Sequence, residues 1–374
     1  MKKKTGAKIL IIIFTAFIAV MGMLYIFMPK TEFSETEKRY LMSAPKLTLS
    51  NIKDGSFSED FETFLADQTP LRTLFVSINA YFELLKGNNG SNGAYLGRDG
   101  YIIEKPFERE NLLQTNLRSI TEFSESISQP VSLVAIPSKG YVCGDKLPKN
   151  AMKYLDGEYN KIIKESAGNI KTVDVTAEFM NSADKDGFYY KTDHHWTSLG
   201  AYTAYRAICR EYGLTPEEKS DFKIETAEGF YGTSYAKACY TLAKPDSVEL
   251  WIGKNSLGKA DVTITEGKKE TASDSMFFRE HLKEGDKYLT FLDGNHSLVT
   301  VKTGNTGGRL LMIKDSFAHC IAPFLAENFE EIVMVDLRYY KDSLKSLIDT
   351  EGITDVMFLY SIENLCTTKD IIFE

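Results

Sequence analysis

The amino-acid sequence predicts an α/β protein, in which helices cover both faces of a mostly parallel sheet, behind one N-terminal transmembrane helix. Short apolar runs rich in β-branched residues alternate with helical stretches. The runs are Val131–Ile136, Thr172–Val175, Leu310–Ile313, Ile332–Val335 and Val356–Leu359. Continuous apolar strands between helices are typical of parallel sheets that are buried on both faces. The pattern therefore favours a layered α/β fold over an all-β shell.

An uncharged segment near the N-terminus predicts the transmembrane helix. It runs from Ile9 to Met28, about the 20 residues that a helix needs to cross a bilayer. The basic residues before it are Lys2, Lys3, Lys4 and Lys8. A cleaved signal peptide also starts with basic residues, but its apolar region is usually only about 7 to 15 residues and ends at a small-residue cleavage site.

We therefore predict an uncleaved signal anchor at residues 9–29, with a cleaved signal peptide as the alternative. The positive-inside rule assigns residues 1–8 to a cytoplasmic tail and the rest of the chain to the outer side of the cell membrane. The protein should thus be a single-pass membrane protein with an extracytoplasmic domain.

Charge and cysteine content exclude several functional classes. The formal net charge of −8 gives no reason to expect nucleic-acid binding. The cysteines are Cys143, Cys209, Cys239, Cys320 and Cys366. Their wide spacing and the absence of a CxxC pair argue against a disulfide framework and a cysteine-rich zinc site. We expect most of them to be small buried apolar residues, and we expect neither a metal nor a cofactor.

The chain after the anchor divides into a helical segment and a globular domain. Residues 30–90 are polar and charged, and Phe57–Leu65 has apolar residues at helical spacing, which predicts a helical stalk or lid. A hairpin built on Asp99-Gly100 marks the start of the globular domain, at residues 91–374. Turns and short strands interrupt the alternation at residues 217–300, which we interpret as an inserted β-rich subregion.

Polar residues follow three of the predicted strands. Ligands of open α/β sheets bind at the carboxyl ends of the strands, so these residues are candidates for a binding site. They are Ser138 and Lys139, Asp315 and Ser316, and Asp336, Arg338 and Tyr339. From this position we expect Ser138, Lys139, Arg338 and Tyr339 to form the wall of a pocket.

The most unusual segment is Asp193-His194-His195-Trp196, which holds two of the five histidines of the chain. Residues two apart in an extended or loop segment project to the same side, so the Asp193 carboxylate can accept a hydrogen bond from the His195 ring. Such a bond fixes the tautomer of the ring. It leaves the second ring nitrogen free as a base, as in a serine triad.

Ser316 is the candidate nucleophile for this base. It follows a strongly apolar strand and precedes a predicted helix, so its hydroxyl should be exposed on a strand-to-helix turn. Backbone N–H groups at the start of the helix can stabilise an oxyanion there. Taken alone, a serine in this position is more often a helix N-cap, so Ser316 and His195 must be considered together.

Other interpretations of the histidines compete with a triad. Adjacent histidines can ligate zinc, but the segment has neither an HExxH motif nor an i,i+4 pair, and no cysteine or carboxylate cluster completes the ligand set. His319, three residues after Ser316, is a rival base, although no neighbouring carboxylate would orient it. His281 and His296 are expected on the surface or in the insertion. Asp315 is expected only to favour the helix start.

Several motifs resemble a known family. Asp193–Trp196 resembles the signature after which the DHHW protein family is named, and Lys314–Phe317 resembles the serine block of SGNH hydrolases. Asn92–Gly100 and Val335–Tyr340 are also similar, so the resemblance covers residues 32–370. The Asp/His motif precedes the serine, an order similar to that of the alginate O-acetyltransferase group of SGNH-like proteins.

This resemblance implies a three-layer SGNH-like (flavodoxin-like) fold and an extracytoplasmic O-acetyltransferase. It implies that Ser316 takes the acetyl group, that His195 acts as base and then as acid, and that Asp193 orients His195. The implied acceptor is a hydroxyl of a cell-surface polysaccharide or exopolysaccharide. The implied acetyl donor is a partner protein, a multipass membrane O-acyltransferase.

The sequence also departs from the SGNH pattern. Lys314 stands where those enzymes usually have glycine before Asp-Ser. Gly294-Asn295 is our candidate for the oxyanion-forming glycine and asparagine, and His194 and Trp196 are further candidates for oxyanion or substrate binding. A carbohydrate esterase (deacetylase) with the same triad is an alternative, because the chemistry up to the acyl-enzyme is shared. A non-catalytic polysaccharide-assembly module is another, although no triad candidate is missing.

Overall fold

The computed structural model describes residues 2–107, 111–255 and 257–373. The chain divides into two compact units, Met1–Asn88 with Cys239–Thr241, and Asn89–Ala238 with Leu242–Glu374. Met1 of the predicted cytoplasmic tail, Ser256 of the predicted insertion, and residues 108–110 and 374 of the predicted globular domain lie outside the described residues.

The smaller unit is mainly helical. Its elements are α1 (Lys2–Phe27), β1 (Phe33–Ser34), β2 (Arg39–Tyr40), α2 (Leu49–Lys53), α3 (Ser56–Asp67) and α4 (Arg72–Leu85). Within α1, the segment Thr5–Phe27 is a candidate membrane span by length and composition, with a mean hydropathy of 2.7. It overlaps the predicted span at 9–29. The helix predicted at Phe57–Leu65 is confirmed by α3.

The larger unit contains the remaining strands and helices. The strands are β3 (Gly90–Ser91), β4 (Ala94–Leu96), β5 (Ile102–Glu104), β6 (Val131–Ile136), β7 (Lys171–Val173), β8 (Lys223–Phe230), β9 (Asp246–Ile252), β10 (Leu257–Glu266), β11 (Lys269–Ser275), β12 (Leu298–Lys302), β13 (Arg309–Lys314), β14 (Glu331–Val335) and β15 (Asp355–Ser361). The helices are α5 (Leu113–Glu125), α6 (Lys139–Val142), α7 (Asp156–Ser166), α8 (Val175–Asn181), α9 (Ser198–Tyr212), α10 (Thr233–Ala238), α11 (Ala318–Leu325), α12 (Leu344–Glu351) and α13 (Ile362–Thr367). Short 3-10 turns lie at Arg98–Gly100, Gly144–Lys146, Lys185–Gly187, Lys219–Asp221, Arg279–Lys283 and Lys287–Thr290.

The predicted mostly parallel sheet is confirmed. Within the described residues it has eight strands in the order β11-β10-β12-β14-β13-β15-β6-β7. The five strands from β14 to β7 run parallel, and β12, β10 and β11 add an antiparallel edge. The five predicted apolar runs all contribute strands to its parallel part. Only the run at Thr172–Val175 is shorter than expected, because Asp174 accepts a hydrogen bond from Ala177 and caps α8.

Both faces of the central parallel strands β13, β14, β15 and β6 are buried, as the apolar runs predicted. In β13, Leu310 and Met312 belong to one apolar cluster, while Leu311 and Ile313 belong to the other. Successive side chains of a strand point to opposite faces, so a strand between two helical layers must be apolar at every position. Helices α8, α9 and α11 contribute to the first cluster, and α5, α7, α12 and α13 to the second. The result is the predicted three-layer fold.

The predicted insertion at residues 217–300 is rich in strands. Strands β8 and β9 form a separate antiparallel pair, whereas β10 and β11 extend the main sheet through β12. The hairpin on Asp99-Gly100 is confirmed by the antiparallel pairing of β4 with β5, in which Leu96 lies opposite Ile102. All five cysteines are free and buried, as predicted.

Candidate active site

Ser316 lies two residues after the end of β13, at the carboxyl edge of the sheet. The neighbouring Asp315 holds this turn in place, because one of its carboxylate oxygens accepts a hydrogen bond from the Phe317 N–H at 3.0 Å. The other oxygen accepts bonds from the Ser361 N–H and the Asn364 side-chain amide, both at 2.8 Å. Asp315 therefore ties the serine turn to the end of β15, a stronger role than the favourable helix-start charge that the sequence predicted.

Ser316, His195 and Asp193 form one continuous hydrogen-bonded chain. The Ser316 Oγ lies 2.7 Å from Nε2 of His195, and Nδ1 of His195 lies 2.6 Å from Oδ1 of Asp193. The backbone N–H of His195 donates to the same carboxylate oxygen at 2.8 Å. Asp193 is 1% exposed and His195 is 6% exposed, so bulk water hardly competes for these bonds. This arrangement can serve as nucleophile, base and orienting acid.

The charge of Asp193 sets the direction of these hydrogen bonds. Burial alone would raise the pKa of Asp193, but the adjacent His195 and His194 and the bonds from His195 hold that pKa well below its ordinary value. The ionised carboxylate only accepts hydrogen bonds. A neutral His195 therefore carries its proton on Nδ1 and turns the lone pair of Nε2 toward Ser316.

Thr233, which sequence analysis missed, holds the second oxygen of Asp193. Its backbone N–H and its hydroxyl donate to Oδ2 of Asp193 at 2.6 and 3.0 Å. The preceding Gly232 allows this approach, because a Cβ on it would lie 2.1 Å from the Cβ of Asp193. The available signal was the glycine-rich turn in the insertion, but one sequence does not show which carboxylate that turn meets.

We expect Gly232→Ala to displace Asp193 and lower the rate at which a serine-directed fluorophosphonate modifies Ser316 by about 100-fold. Gly144→Ala is the matched control, since a Cβ on Gly144 meets nothing within 4 Å. Mass spectrometry of the labelled protein over time measures both rates. Equal rates for the two variants would contradict a role of Gly232 in positioning Asp193.

Two aromatic side chains keep the serine and the histidine together. The Tyr288 ring stacks on the His195 ring with centroids 4.0 Å apart and planes at 11°, and its hydroxyl donates to the Ser316 carbonyl at 3.3 Å. The Trp196 indole donates to the Phe317 carbonyl at 3.1 Å. Trp196 is 0% exposed. The predicted oxyanion or substrate-binding role of Trp196 is therefore wrong, and its buried indole fastens the motif to the serine turn instead.

Most of the backbone N–H groups that we expected to stabilise an oxyanion donate hydrogen bonds within the turn instead. The Phe317 N–H donates to the Asp315 side chain, and those of Ala318 and His319 donate to the carbonyls of Asp315 and Ser316 at 3.2 and 3.3 Å. Among the described residues, the Ser316 N–H has no acceptor. It is the donor of this turn that stays available to an oxyanion.

The predicted oxyanion pair Gly294-Asn295 lies beside the end of β14. There Arg338 donates to the side-chain oxygen of Asn295 at 3.0 Å and to Oδ1 of Asp336 at 2.8 Å. Tyr339 is 52% exposed. In the part of the chain that the structure describes, no side-chain hydrogen bond of Asn295 or Arg338 reaches Ser316. The Asn295 amide oxygen thus accepts a hydrogen bond from Arg338 and does not contact the serine turn through its hydrogen bonds.

His319, the rival base, belongs to a buried polar group with Lys314. Nζ of Lys314 lies 2.8 Å from Nε2 of His319 and 3.4 Å from Oδ2 of Asp336. Burial, and then the Lys314 charge, hold the pKa of His319 well below its ordinary value. His319 is therefore neutral, with Nε2 accepting from Lys314 and Nδ1 protonated. It has no lone pair left to take a proton from Ser316.

The Asp336 carboxylate forms ion pairs with two cations. Its Oδ2 lies 3.4 Å from Nζ of Lys314 and 2.5 Å from Nη2 of Arg338. We expect Asp336→Ala to lower the free energy of unfolding by about 3–5 kcal/mol, because Lys314, 1% exposed, would lose its carboxylate partner. Urea unfolding measures the difference. Asp342→Ala, on an exposed residue, is the matched control and should change the free energy of unfolding by less than about 0.5 kcal/mol.

The stability of the Asp336→Ala variant should also depend on pH. Burial lowers the pKa of Lys314, and removing Asp336 should lower it further. Between the folded-state pKa values of Lys314 in the variant and in the parent, only the variant's folded state has released this proton. The unfolded variant then binds more protons than the folded one, so its stability rises with pH. The difference in unfolding free energy between parent and variant should therefore shrink across this pH range. A constant difference would contradict the ion pair between Lys314 and Asp336.

A cavity of about 170 Å³ lies beside the motif and the serine turn. Its lining includes Glu104, Ser138, His194, Phe317, Ser361 and Asn364. Ser138 thus lines a pocket, as predicted, and its hydroxyl donates to Asp156 at 2.9 Å. The cavity lies on the β15 and β6 side of the serine strand, whereas Arg338 follows β14 on the opposite side.

Lys139 also lines this cavity, but its ammonium group points into the protein. It donates to the backbone carbonyls of Ile102, Lys191 and Asp193 at 2.6, 2.8 and 2.9 Å. Burial lowers the pKa of Lys139 to about 8. Its ammonium group therefore holds the Asp193 loop by hydrogen bonds from the protein interior, while the residue lines the cavity, as predicted.

A metal ion is the competing interpretation of the motif. Asp193, His194 and His195 each offer a ligand atom, and these atoms lie within 4.8 Å of one another. In the structure the carboxylate oxygens of Asp193 each accept two hydrogen bonds, and Nε2 of His195 faces Ser316. The candidate ligand atoms of Asp193 and His195 thus already take part in the hydrogen-bonded chain, which fits this geometry better than metal ligation.

Comparison with solved structures agrees with the fold. A DHHW family protein from Eubacterium siraeum is 26% identical, with a TM-score of 0.65, and the match covers 76% of this chain and 97% of that one. Bacillus cereus PatB1 is 20% identical with a TM-score of 0.63, covering 74% of this chain and 98% of that one, which supports the fold alone.

Among curated proteins, a probable alginate O-acetylase AlgJ of Pseudomonas putida is 26% identical over 178 residues. The match covers 45% of this chain and 46% of the relative, so the chain spans about half the length of that protein. The profile of the family described as DHHW protein matches residues 149–335, which include both the Asp193 motif and Ser316. Because this match spans half of the sequence, the chain belongs to the DHHW protein family.

Proposed function

We propose that this chain is an extracytoplasmic serine-type O-acetyltransferase, which moves an acetyl group through an acyl-serine onto hydroxyls of a cell-surface polysaccharide or exopolysaccharide. The observation that carries the proposal is the hydrogen-bonded chain from Ser316 through His195 to Asp193, at 2.7 and 2.6 Å. Membership of the DHHW family supports it, as does the acetylase name of the Pseudomonas putida relative.

In the first half of the reaction, the Ser316 Oγ attacks the acetyl carbonyl carbon while Nε2 of His195 takes the hydroxyl proton. Asp193 stabilises the imidazolium, and the Ser316 N–H can donate to the oxyanion. The bond to the donor then breaks, and His195 gives its proton to the leaving oxygen. The acetyl group is left on Ser316.

In the second half, a hydroxyl of the acceptor attacks the acyl-serine. His195 takes the proton of that hydroxyl and returns it to the Ser316 Oγ as the ester bond breaks. An esterase would use the same groups with water as the acceptor. The two activities therefore differ in what enters the site after acylation, which makes the acceptor the deciding observation.

We also propose that the span Thr5–Phe27 holds the site on the outer side of the membrane, near a multipass O-acyltransferase that supplies acetyl groups. Lys2, Lys3 and Lys4 before the span, and Lys8 near its start, support a cytoplasmic N-terminus. Tethering both proteins to one membrane would raise their effective concentration. Co-purification of the full chain with such an acyltransferase tests the partner, and a C-terminal reporter that is active only outside the cytoplasm tests the orientation.

The activity is tested by incubating the full chain in detergent with an acetyl ester and one of two acceptors, alginate oligosaccharide or cello-oligosaccharide. We expect an acetylated oligosaccharide and an acetylated Ser316 peptide by mass spectrometry. Acetate release with no acetylated carbohydrate would favour the esterase. Neither product, and no acetyl group on Ser316, would favour the non-catalytic module and overturn the proposal.

A further inference from the structure

The hydrogen bonds around His194 assign its proton. Nδ1 of His194 lies 2.6 Å from the Oγ of Thr233, and that Oγ lies 3.0 Å from Oδ2 of Asp193. An ionised carboxylate cannot donate, so the Thr233 hydroxyl proton must point to Asp193. The Thr233 oxygen is then an acceptor toward His194. Nδ1 of His194 therefore carries the proton of the neutral ring.

The other ring nitrogen of His194, Nε2, is consequently a hydrogen-bond acceptor. Desolvation, and then the neighbouring His195, lower the pKa of His194, which favours the neutral ring with a lone pair on Nε2. The side chain is 39% exposed and lines the cavity beside Phe317. Within the described residues, the side-chain hydrogen bonds of His194 end at Thr233. Its Nε2 is thus available to a ligand in the cavity.

The His194 ring lies next to the proposed reacting centre. The ring centroids of His194 and His195 are 3.9 Å apart, with planes at 35°. Because Nε2 of His195 faces Ser316, an attacking hydroxyl must reach that nitrogen to be deprotonated. A second hydroxyl on the neighbouring carbon of the same acceptor would then lie near His194.

We propose that His194 binds a second hydroxyl of the acceptor, so that the acceptor class is a carbohydrate with hydroxyls on neighbouring carbons. This inference rests on the proposed function. In the transfer step, the attacking oxygen forms its bond to the acetyl carbon while the bond from that carbon to the Ser316 Oγ breaks. The proton passes from the attacking hydroxyl to His195 and then to Ser316. The second hydroxyl keeps its proton and donates it to His194 as a hydrogen bond.

Two substitutions separate this contact from a structural role. In His194→Asn the amide nitrogen lies near the place of Nδ1 and can still donate to Thr233, but the acceptor at Nε2 is lost. In His194→Gln an amide oxygen lies near the place of Nε2. The acceptors are methanol, which has one hydroxyl, and whichever of the alginate or cello-oligosaccharides the parent protein acetylates better.

We expect His194→Asn to raise KM for the oligosaccharide about ten-fold, because one hydrogen bond to the acceptor is lost. Any fall in kcat for hydrolysis or in the rate of transfer to methanol should be much smaller than this, although His194 also contacts Thr233 and His195. We expect His194→Gln to restore most of the oligosaccharide KM. A site that binds a hydroxyl discriminates against substrates that lack it, whereas a structural defect would slow all acceptors together.

An unchanged oligosaccharide KM in His194→Asn would overturn the inference while leaving the proposed transferase intact. An equal loss with methanol, or no recovery in His194→Gln, would assign His194 a structural role and also overturn it. If the parent protein acetylates methanol but neither oligosaccharide, the inference about the acceptor fails. If the parent forms no acyl-serine at all, the proposed function fails first.

Discussion

Replacing Ser316 by Ala is expected to lower kcat for acetyl transfer by about 10⁶-fold, close to abolition. The substitution removes the Oγ that lies 2.7 Å from Nε2 of His195, and with it the site of the acyl bond. Among the described residues, no other hydroxyl forms a hydrogen bond with Nε2 of His195, and His319 and Lys314 are hydrogen-bonded to each other. The measurement is acetyl transfer to oligosaccharide, together with mass spectrometry of the protein for a bound acetyl group.

Ser346→Ala is the matched control for this variant. Ser346 is exposed on α12, and the same change there should leave transfer and stability close to those of the parent. An acyl-enzyme formed on the Ser316→Ala variant, or transfer at more than about a tenth of the parent rate, would show that Ser316 is not the nucleophile.

Replacing Asp193 by Asn is expected to lower kcat for transfer by about 10⁴-fold. Four hydrogen-bond donors converge on this carboxylate, from the backbone and ring of His195 and from the backbone and hydroxyl of Thr233. An amide offers only one oxygen, and its NH₂ group would face two of these donors. The His195 ring would then favour the other tautomer, with its proton on Nε2 and no lone pair toward Ser316.

The Asp193→Asn measurement uses the same transfer assay, with Asp349→Asn as the control on an exposed residue of α12. Fluorophosphonate labelling of Ser316 should slow in parallel with transfer, because both need the base. A loss of less than about ten-fold would mean that Asp193 does not set the His195 tautomer. Normal labelling together with lost transfer would move the role of Asp193 to the acceptor step.

The sequence was most informative where function depends on residues close together in the chain. Asp193 and His195 are two residues apart, so their contact follows from loop geometry alone. Ser316 was predicted from the apolar strand before it and the helix after it, and the structure has β13 and α11 there. Pairing Ser316 with a histidine 121 residues away was a hypothesis that the family resemblance supported, because spacing alone does not predict such a contact.

Residues that support the site from distant segments were missed. Thr233 and Gly232 lie about forty residues from Asp193, inside an insertion whose turn composition says nothing about its neighbours. Tyr288 reaches His195 and Ser316 from the same insertion. The backbone contacts of Trp196 and Lys139 were missed for a related reason. Burial turned their polar groups toward backbone carbonyls, and burial at single positions in loops is not visible in a sequence.

The sequence by itself determined the layered α/β fold, the apolar strands and the Asp193–His195 pair. These depend on alternation along a strand and on short chain separations, which any local window of residues shows. Only the tertiary structure decided that Thr233 donates to Asp193, that Lys314 hydrogen-bonds with His319, and that His194 lines a cavity. Each depends on which groups compete for a hydrogen bond at one point in space, and that competition is settled by packing between segments far apart in the chain.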